Sequence, residues 1–251
     1  MDERRFYNIL LWAWLALAGA VFLILLRKPA PYGRLARPGW GPTLPARLGW
    51  LVMECPAVLM VAFLFAAGDR RSAAAWAFLA IWNVHYLYRS LVYSARIRRG
   101  RPVPVFVVAS GFVFNIVNGY LQGRCLFTLS PPYGDSWLAG GRFWAGLALF
   151  AAGLAVNIRS DNLLRSLRRD AACSYVVPRG WLFRWISCPN YLGEIIEWIG
   201  WAILTWSLGG LAFAAWTAAN LVPRALSCHR WYGRTFPDYP PERKALIPGL
   251  L

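Results

Sequence analysis

The chain has 251 residues, 58% of them hydrophobic and only 15% charged, with 15 tryptophans and a formal net charge of +16. Soluble domains hold about 45–50% apolar and about 25% charged residues, so this composition excludes an ordinary water-soluble domain and points to a multi-spanning membrane protein. The positive charge sits in short loops between apolar runs, which membrane topology explains and nucleic-acid binding does not.

Apolar segments of spanning length fall at 7–26, 49–67, 73–93, 103–122, 142–158, 190–207 and 210–228. They predict an all-α integral membrane protein, a bundle of seven transmembrane helices in one membrane domain covering 1–251. Basic residues precede the first segment, as in a signal peptide. Its apolar run of about 20 residues lacks a small-residue cleavage site, so a retained span is expected. The Ser-Leu-Gly-Gly turn between the last two segments makes them an antiparallel pair. With the N-terminus outside, nineteen basic residues fall in inner loops and six (Arg4, Arg5, Arg70, Arg71, Arg124, Arg142) in outer ones. That asymmetry predicts an external N-terminus and a cytoplasmic C-terminus. The five cysteines (Cys55, Cys125, Cys173, Cys188, Cys228) form no CxxC pair and no metal-ligand spacing with the two histidines, so no disulfide and no metal site is predicted.

Polar side chains at membrane depth are costly, about 2.5–3.5 kcal/mol for a charged one, and usually face a cavity or pair within the bundle. In chain order they are Glu54; His85, Tyr86 and Arg89; Asn157, Asp161, Arg165 and Arg168; Asn190, Glu194 and Glu197; Asn220 and Arg224; then Cys228, His229 and Tyr232. Structural readings compete for several. Asn190 after Pro189 suits a helix cap, Glu197 suits a carboxylate paired with an interior Arg, and His85 suits a satisfied core histidine. Tyr86 and Tyr88 suit interfacial aromatics, and Arg165, Arg168 and Arg169 suit a lipid-headgroup anchor. Yet Glu54, Tyr86, Arg89, Asn157, Asp161, Asn190, Glu194, Asn220 and Arg224 come from five spans, which predicts one shared polar cavity. Its arginine-rich mouth suits a phosphate-bearing ligand. No GxGxxG and no GxxxxGK[ST] is present, so a nucleotide here would be held between helices.

The stretches HYLYRSLVYSARIRRGRP (85–102), NIRSDNLLRSLRR (157–169), YVVPRGWLFRWISCPNYLGEIIEWIGWAILTWSLGGLAF (175–213) and WYGRTFPDYPPERKALIPGLL (231–251) resemble the steroid 5α-reductase family of membrane reductases. The resemblance runs from about residue 30 to the end. It implies a seven-helix enzyme that uses NADPH to reduce the Δ4 double bond of a 3-oxosteroid such as testosterone or progesterone. Helices within about 7–122 would form mainly the substrate side, and about 142–251 mainly the NADPH side. Carried over by position, Glu54 and Tyr86 would bind the ketone. Arg89, Asn157, Asp161, Arg168, Tyr175, Asn190, Glu194, Arg224, His229 and Tyr232 would contact the cofactor, and Asn220, one turn before Arg224 in the same polar set, is placed with them. The chain departs from the family at Met53, where Gln is frequent, and at Cys228, within a run that is histidine-rich elsewhere.

The chemistry suits these residue types: hydride reaches the β-carbon of an enone, and a Tyr86 hydroxyl supported by a protonated Glu54 would stabilise the developing oxyanion. Glu194 with Asn190 would fix the nicotinamide carboxamide. The implied partners are a steroid or other lipid enone and membrane lipids, with no nucleic acid and a monomeric state. The arginine-rich, lysine-poor composition suggests a bacterial member in the inner membrane; a eukaryotic one would sit in the endoplasmic reticulum. Rival readings are a reductase of another lipid enone (an enoyl thioester, a polyprenol-like lipid or a sterol), a helix-bundle methyltransferase, and a non-enzymatic lipid transporter.

Overall fold

The computed structural model describes residues 2–97, 100–167 and 175–251. Seven long helices account for most of them: α1 (Glu3–Arg27), α2 (Ala46–Ala67), α3 (Ala73–Leu87), α4 (Val105–Arg124), α5 (Gly141–Ser166), α6 (Pro189–Thr205) and α7 (Leu208–Thr235). A π-helical stretch, Tyr88–Tyr93, and a last turn, Ser94–Arg96, prolong α3, and a second π-helical stretch, Cys125–Leu129, prolongs α4. Among the described residues four helices are long and apolar enough to cross a bilayer: α1, α2, α4 with its extension, and α5. The helices follow the apolar segments, with two instructive differences. Both α5 and α7 run well past their apolar windows, carrying Asp161, Arg165, His229 and Tyr232 on regular helix. Val103 and Pro104, expected inside the fourth span, instead form β2 (Val103–Pro104), which pairs antiparallel with β1 (Thr43–Leu44).

Packing is pairwise: α5 lies along α6, α6 against α7, α1 against α7, and α2 against both α4 and α3. Small residues set the closest approach. Gly146 and Gly153 on α5 face Gly200 and Gly193 on α6, and a Cβ on any of the four would run into the other helix's backbone. This is the small-residue contact by which membrane helices approach one another. By contrast, α1 buries only Tyr7, Leu11, Trp14 and Ala18, a stripe one residue wide that meets Ala212, Trp216 and Ala219 of α7.

The core is aromatic. Trp82 of α3 lies 5.4 Å from Trp198 and 5.3 Å from Trp201 of α6, and Trp198 lies 4.2 Å from Phe213 of α7. Buried indoles need a partner for N–H. The Trp82 indole donates to the Ala57 carbonyl at 3.1 Å and that of Trp201 to Gln122 Oε1 at 2.9 Å. Large apolar side chains on the outside, among them Trp12, Leu59, Phe63 and Phe106, are exposed, as expected where the surroundings are lipid rather than water.

Candidate active site

Directly beside this aromatic core the buried polar groups begin. The π-helical stretch widens the α3 backbone where Arg89 leaves it, and such stretches recur at functional sites. Arg89 is 6% exposed and reaches across the bundle. Its Nη1 donates to Asp161 Oδ2 at 3.4 Å, and its Nη2 stands 3.7 Å from Glu54 Oε1. From Asp161 the chain of contacts continues: Asn190 Nδ2 donates to Asp161 Oδ1 at 3.1 Å. Asn157 Nδ2 donates to the Asn190 carbonyl at 3.0 Å and to Glu194 Oε2 at 3.3 Å. Asn115 of α4 donates to the Met53 carbonyl at 2.7 Å and lies 3.5 Å from Glu54 Oε2. Six of the residues singled out in the sequence, Glu54, Arg89, Asn157, Asp161, Asn190 and Glu194, are therefore one linked network drawn from α2, α3, α5 and α6. Tyr86 is 3% exposed, its ring 4.7 Å from Trp82 and 5.7 Å from Trp198.

One expectation changes. Glu197 pairs not with an arginine but with His85, whose Nδ1 is 2.7 Å from Glu197 Oε1. Both are shut away from solvent, and the imidazole packs edge-on against Trp198 at 4.6 Å. His85 is thus the satisfied core histidine. The Glu54 carboxyl faces the Arg89 guanidinium on one side and the Asn115 amide on the other.

A second polar group lies further along α6 and α7. Arg224 spends its fork on the protein itself: Nε donates to the Tyr191 hydroxyl at 3.0 Å, Nη1 to the Ala30 carbonyl at 3.3 Å and Nη2 to the Tyr32 carbonyl at 3.0 Å. The loop after α1 is thereby fastened across α7. Arg34, in the same loop, lies over the rings of Tyr232 (4.6 Å) and Tyr175 (5.9 Å). His229 Nδ1 is 2.6 Å from Ser187 Oγ, which is also 2.6 Å from the Tyr239 hydroxyl. Cys228 is buried with Cys188, Ala225 and Leu246 in an apolar patch. Asn220 is half-buried and makes no side-chain hydrogen bond among the described residues. Arg168 lies outside the described residues.

Several buried polar atoms near this end have no partner among the described residues: Arg34 Nη1, both Nη atoms of Arg165, and Asn157 Oδ1. Unmet buried donors and acceptors are costly, about 1–3 kcal/mol each, more if charged. Guanidinium donors suit phosphate and an amide oxygen suits a carboxamide N–H, so the residues fit a phosphate-bearing nicotinamide nucleotide. Sequence reasoning missed Arg34, Tyr191, Ser187 and Tyr239. Only Tyr191 had a signal, standing between Asn190 and Glu194 on α6.

Comparison with known proteins places the chain in a family. Residues 101–251 match the family described as 3-oxo-5-alpha-steroid 4-dehydrogenase. The chain is 40% identical over 253 residues to steroid 5-alpha-reductase DET2 of Gossypium hirsutum, covering 98% of each chain. It is 41% identical over 256 residues to 3-oxo-5-alpha-steroid 4-dehydrogenase 1 of Bos taurus, covering 100% of this chain and 99% of the relative. Against the Homo sapiens protein of that name it is 38% identical, covering 99% of this chain and 96% of the relative. An all-α membrane protein with a buried polar network is thus defined by its fold. The chain belongs to the 3-oxo-5-alpha-steroid 4-dehydrogenase family, and it is an oxidoreductase.

Proposed function

We propose that the protein reduces the Δ4 double bond of a 3-oxosteroid, with testosterone and progesterone as representative substrates, using NADPH held between α5, α6 and α7. The observation that carries this reading is the linked network from Glu54 through Arg89 and Asp161 to Asn190, Asn157 and Glu194, with unmatched guanidinium groups beyond it. NADPH, when bound, supplies the hydride. Asn157 and Glu194 orient the carboxamide, Asn157 through its unpartnered oxygen. Arg34 and Arg165 meet the phosphates, with Arg168, Tyr175, His229 and Tyr232 around them. Arg224 acts through Tyr191 and the fastened loop. On the substrate side the Tyr86 hydroxyl donates a hydrogen bond to the ketone oxygen as negative charge develops there. Glu54, held by Arg89, is the second group at the ketone, and the aromatic core of Trp82, Trp198 and Phe213 excludes water. In this reading all seven helices span the membrane, with the N-terminus outside and the protein a monomer.

Purified protein in detergent should consume NADPH when given testosterone or progesterone, the saturated ketone being identified by mass spectrometry. Tyr86→Phe should lower turnover by roughly a hundredfold or more while NADPH still binds, since loss of one oxyanion donor costs about 2.7–4 kcal/mol, and Glu54→Gln, which removes the charge that faces Arg89, should lower it as well. Near-normal turnover in both would remove the assignment. Turnover with an enoyl thioester or polyprenol-like enone but no 3-oxosteroid would move the substrate to another lipid class.

A further inference from the structure

A cavity of about 790 Å³ lies away from the polar network, where the start of α1, the end of α4, the start of α5 and the α6–α7 turn meet. None of the network residues lines it. Its walls are largely apolar and aromatic, including Tyr7, Leu11, Tyr133, Trp137, Phe143 and Leu208. Two arginines, Arg4 and Arg142, line it, and no Asp or Glu does. Neither arginine forms a salt bridge among the described residues. Arg4 donates one Nη2 hydrogen bond to the Leu129 carbonyl at 3.0 Å, and the Arg142 guanidinium rests 4.5 Å over the Trp206 ring. Trp206 is held there in the left-handed region, φ 45° and ψ 43°, a conformation that costs a residue bearing a Cβ and recurs at ligand sites. Of the nearby acids, Glu3 pairs with Arg124, Asp69 with Arg70, and Asp135 accepts from the Ala73 N–H, while Asp2 is exposed and does not line the cavity.

Charge and shape together specify the occupant. Unpaired guanidinium groups favour a phosphate, while a volume in the usual range for small-ligand sites, walled by aliphatic and aromatic carbon, favours hydrocarbon. Trp137, Trp206 and Tyr133 are the amphipathic rings found at headgroup level, and Leu208 and Leu211 beside the cavity are more than half exposed, so it opens onto lipid-facing surface. We propose that this cavity binds one anionic phospholipid from the leaflet on the N-terminal side. Its phosphate sits on Arg4 and Arg142, and the upper part of an acyl chain lies against Leu11, Phe143 and Leu208.

Native mass spectrometry of the full-length protein in detergent, titrated separately with phosphatidylglycerol and phosphatidylcholine, tests this. The expected result is one bound phosphatidylglycerol, preferred at least tenfold over phosphatidylcholine, and at least tenfold weaker binding in R4Q/R142Q. Ser136→Trp retains both arginines but places an indole in the cavity from an exposed position, and it should also lose the lipid. Thermal melting reports that each variant is folded, and phosphatidylglycerol should raise the melting temperature of the wild type but not of S136W. Equal binding of the two lipids, or undiminished phosphatidylglycerol binding in folded R4Q/R142Q or S136W, would overturn the proposal. So would inorganic phosphate binding as tightly as the lipid, which would make this a bare anion site, or displacement of the lipid by progesterone.

Discussion

Replacing Gly153 by Ala should injure the protein out of proportion to one methyl group. The new Cβ would meet the Glu197 amide nitrogen, the Gly193 carbonyl oxygen and, at 2.7 Å, the Glu197 Cα. All three are backbone atoms of a packed helix and cannot rotate aside, so α5 and α6 must part. Overpacking of this kind costs about 1–3 kcal/mol. At about 2–4 °C per kcal/mol for a chain of this size, the melting temperature should fall by about 2–12 °C. One turn away, the Asn157 bonds to Asn190 and Glu194, now 3.0 and 3.3 Å, would stretch, so the KM for NADPH should rise while a weak residual turnover persists. Gly19→Ala on α1 is the control, because nothing lies within 4 Å of the Cβ it would add. There the same change should be neutral or stabilise by up to about 1 kcal/mol. Scanning fluorimetry in detergent and NADPH-dependent steroid turnover measure both quantities. If G153A melts with the wild type and keeps its KM, the close helix contact does not position the site.

Three further outcomes are expected. H85A leaves Glu197 buried without its partner and should destabilise by about 3–5 kcal/mol, whereas H85L/E197L should recover much of that loss; strictly additive melting shifts would refute the pairing. R224K cannot reproduce the three-way fork to Tyr191, Ala30 and Tyr32, so limited trypsin digestion after Arg34 should quicken several-fold; an unchanged digestion rate would show that the loop is held by something else. R165Q should narrow any preference for NADPH over NADH by about tenfold or more, the scale of one charge-assisted hydrogen bond, and initial rates with the two cofactors would reveal an unaltered ratio if Arg165 is merely a surface anchor.

Much of this architecture is legible in the sequence because lipid imposes simple rules. Every apolar run of bilayer length became a helix, and the costly side chains of the second, third, fifth and sixth runs met one another. Helix ends were less legible: α5 and α7 continue through polar residues, where hydropathy stops reporting but backbone hydrogen bonding does not. Partner choice was least legible. Glu197 gave no hint that it would find His85 on a helix more than a hundred residues away, since both are simply polar positions in apolar text. Arg224 was expected to contact the cofactor, and sequence cannot show that two loop carbonyls and the Tyr191 hydroxyl take up its fork. Arg34 sits in a Gly- and Pro-rich loop with no periodicity, so nothing marked it beforehand.

The way α1 is held has a mechanical meaning. Near its start, Arg4 and Glu3 tie it to the end of α4; just past its finish, Arg224 grips the carbonyls of Ala30 and Tyr32. Between these anchors its fully buried stripe stops at Ala18, and from Gly19 to Arg27 the helix is held only by the partial packing of Val21 and Phe22 against the same cluster. A rod clamped at both tips and glued along half its length bows; it does not swing. Any sideways gap beside α1 therefore opens near the loosely held stretch, as a slit whose width is set by bending stiffness.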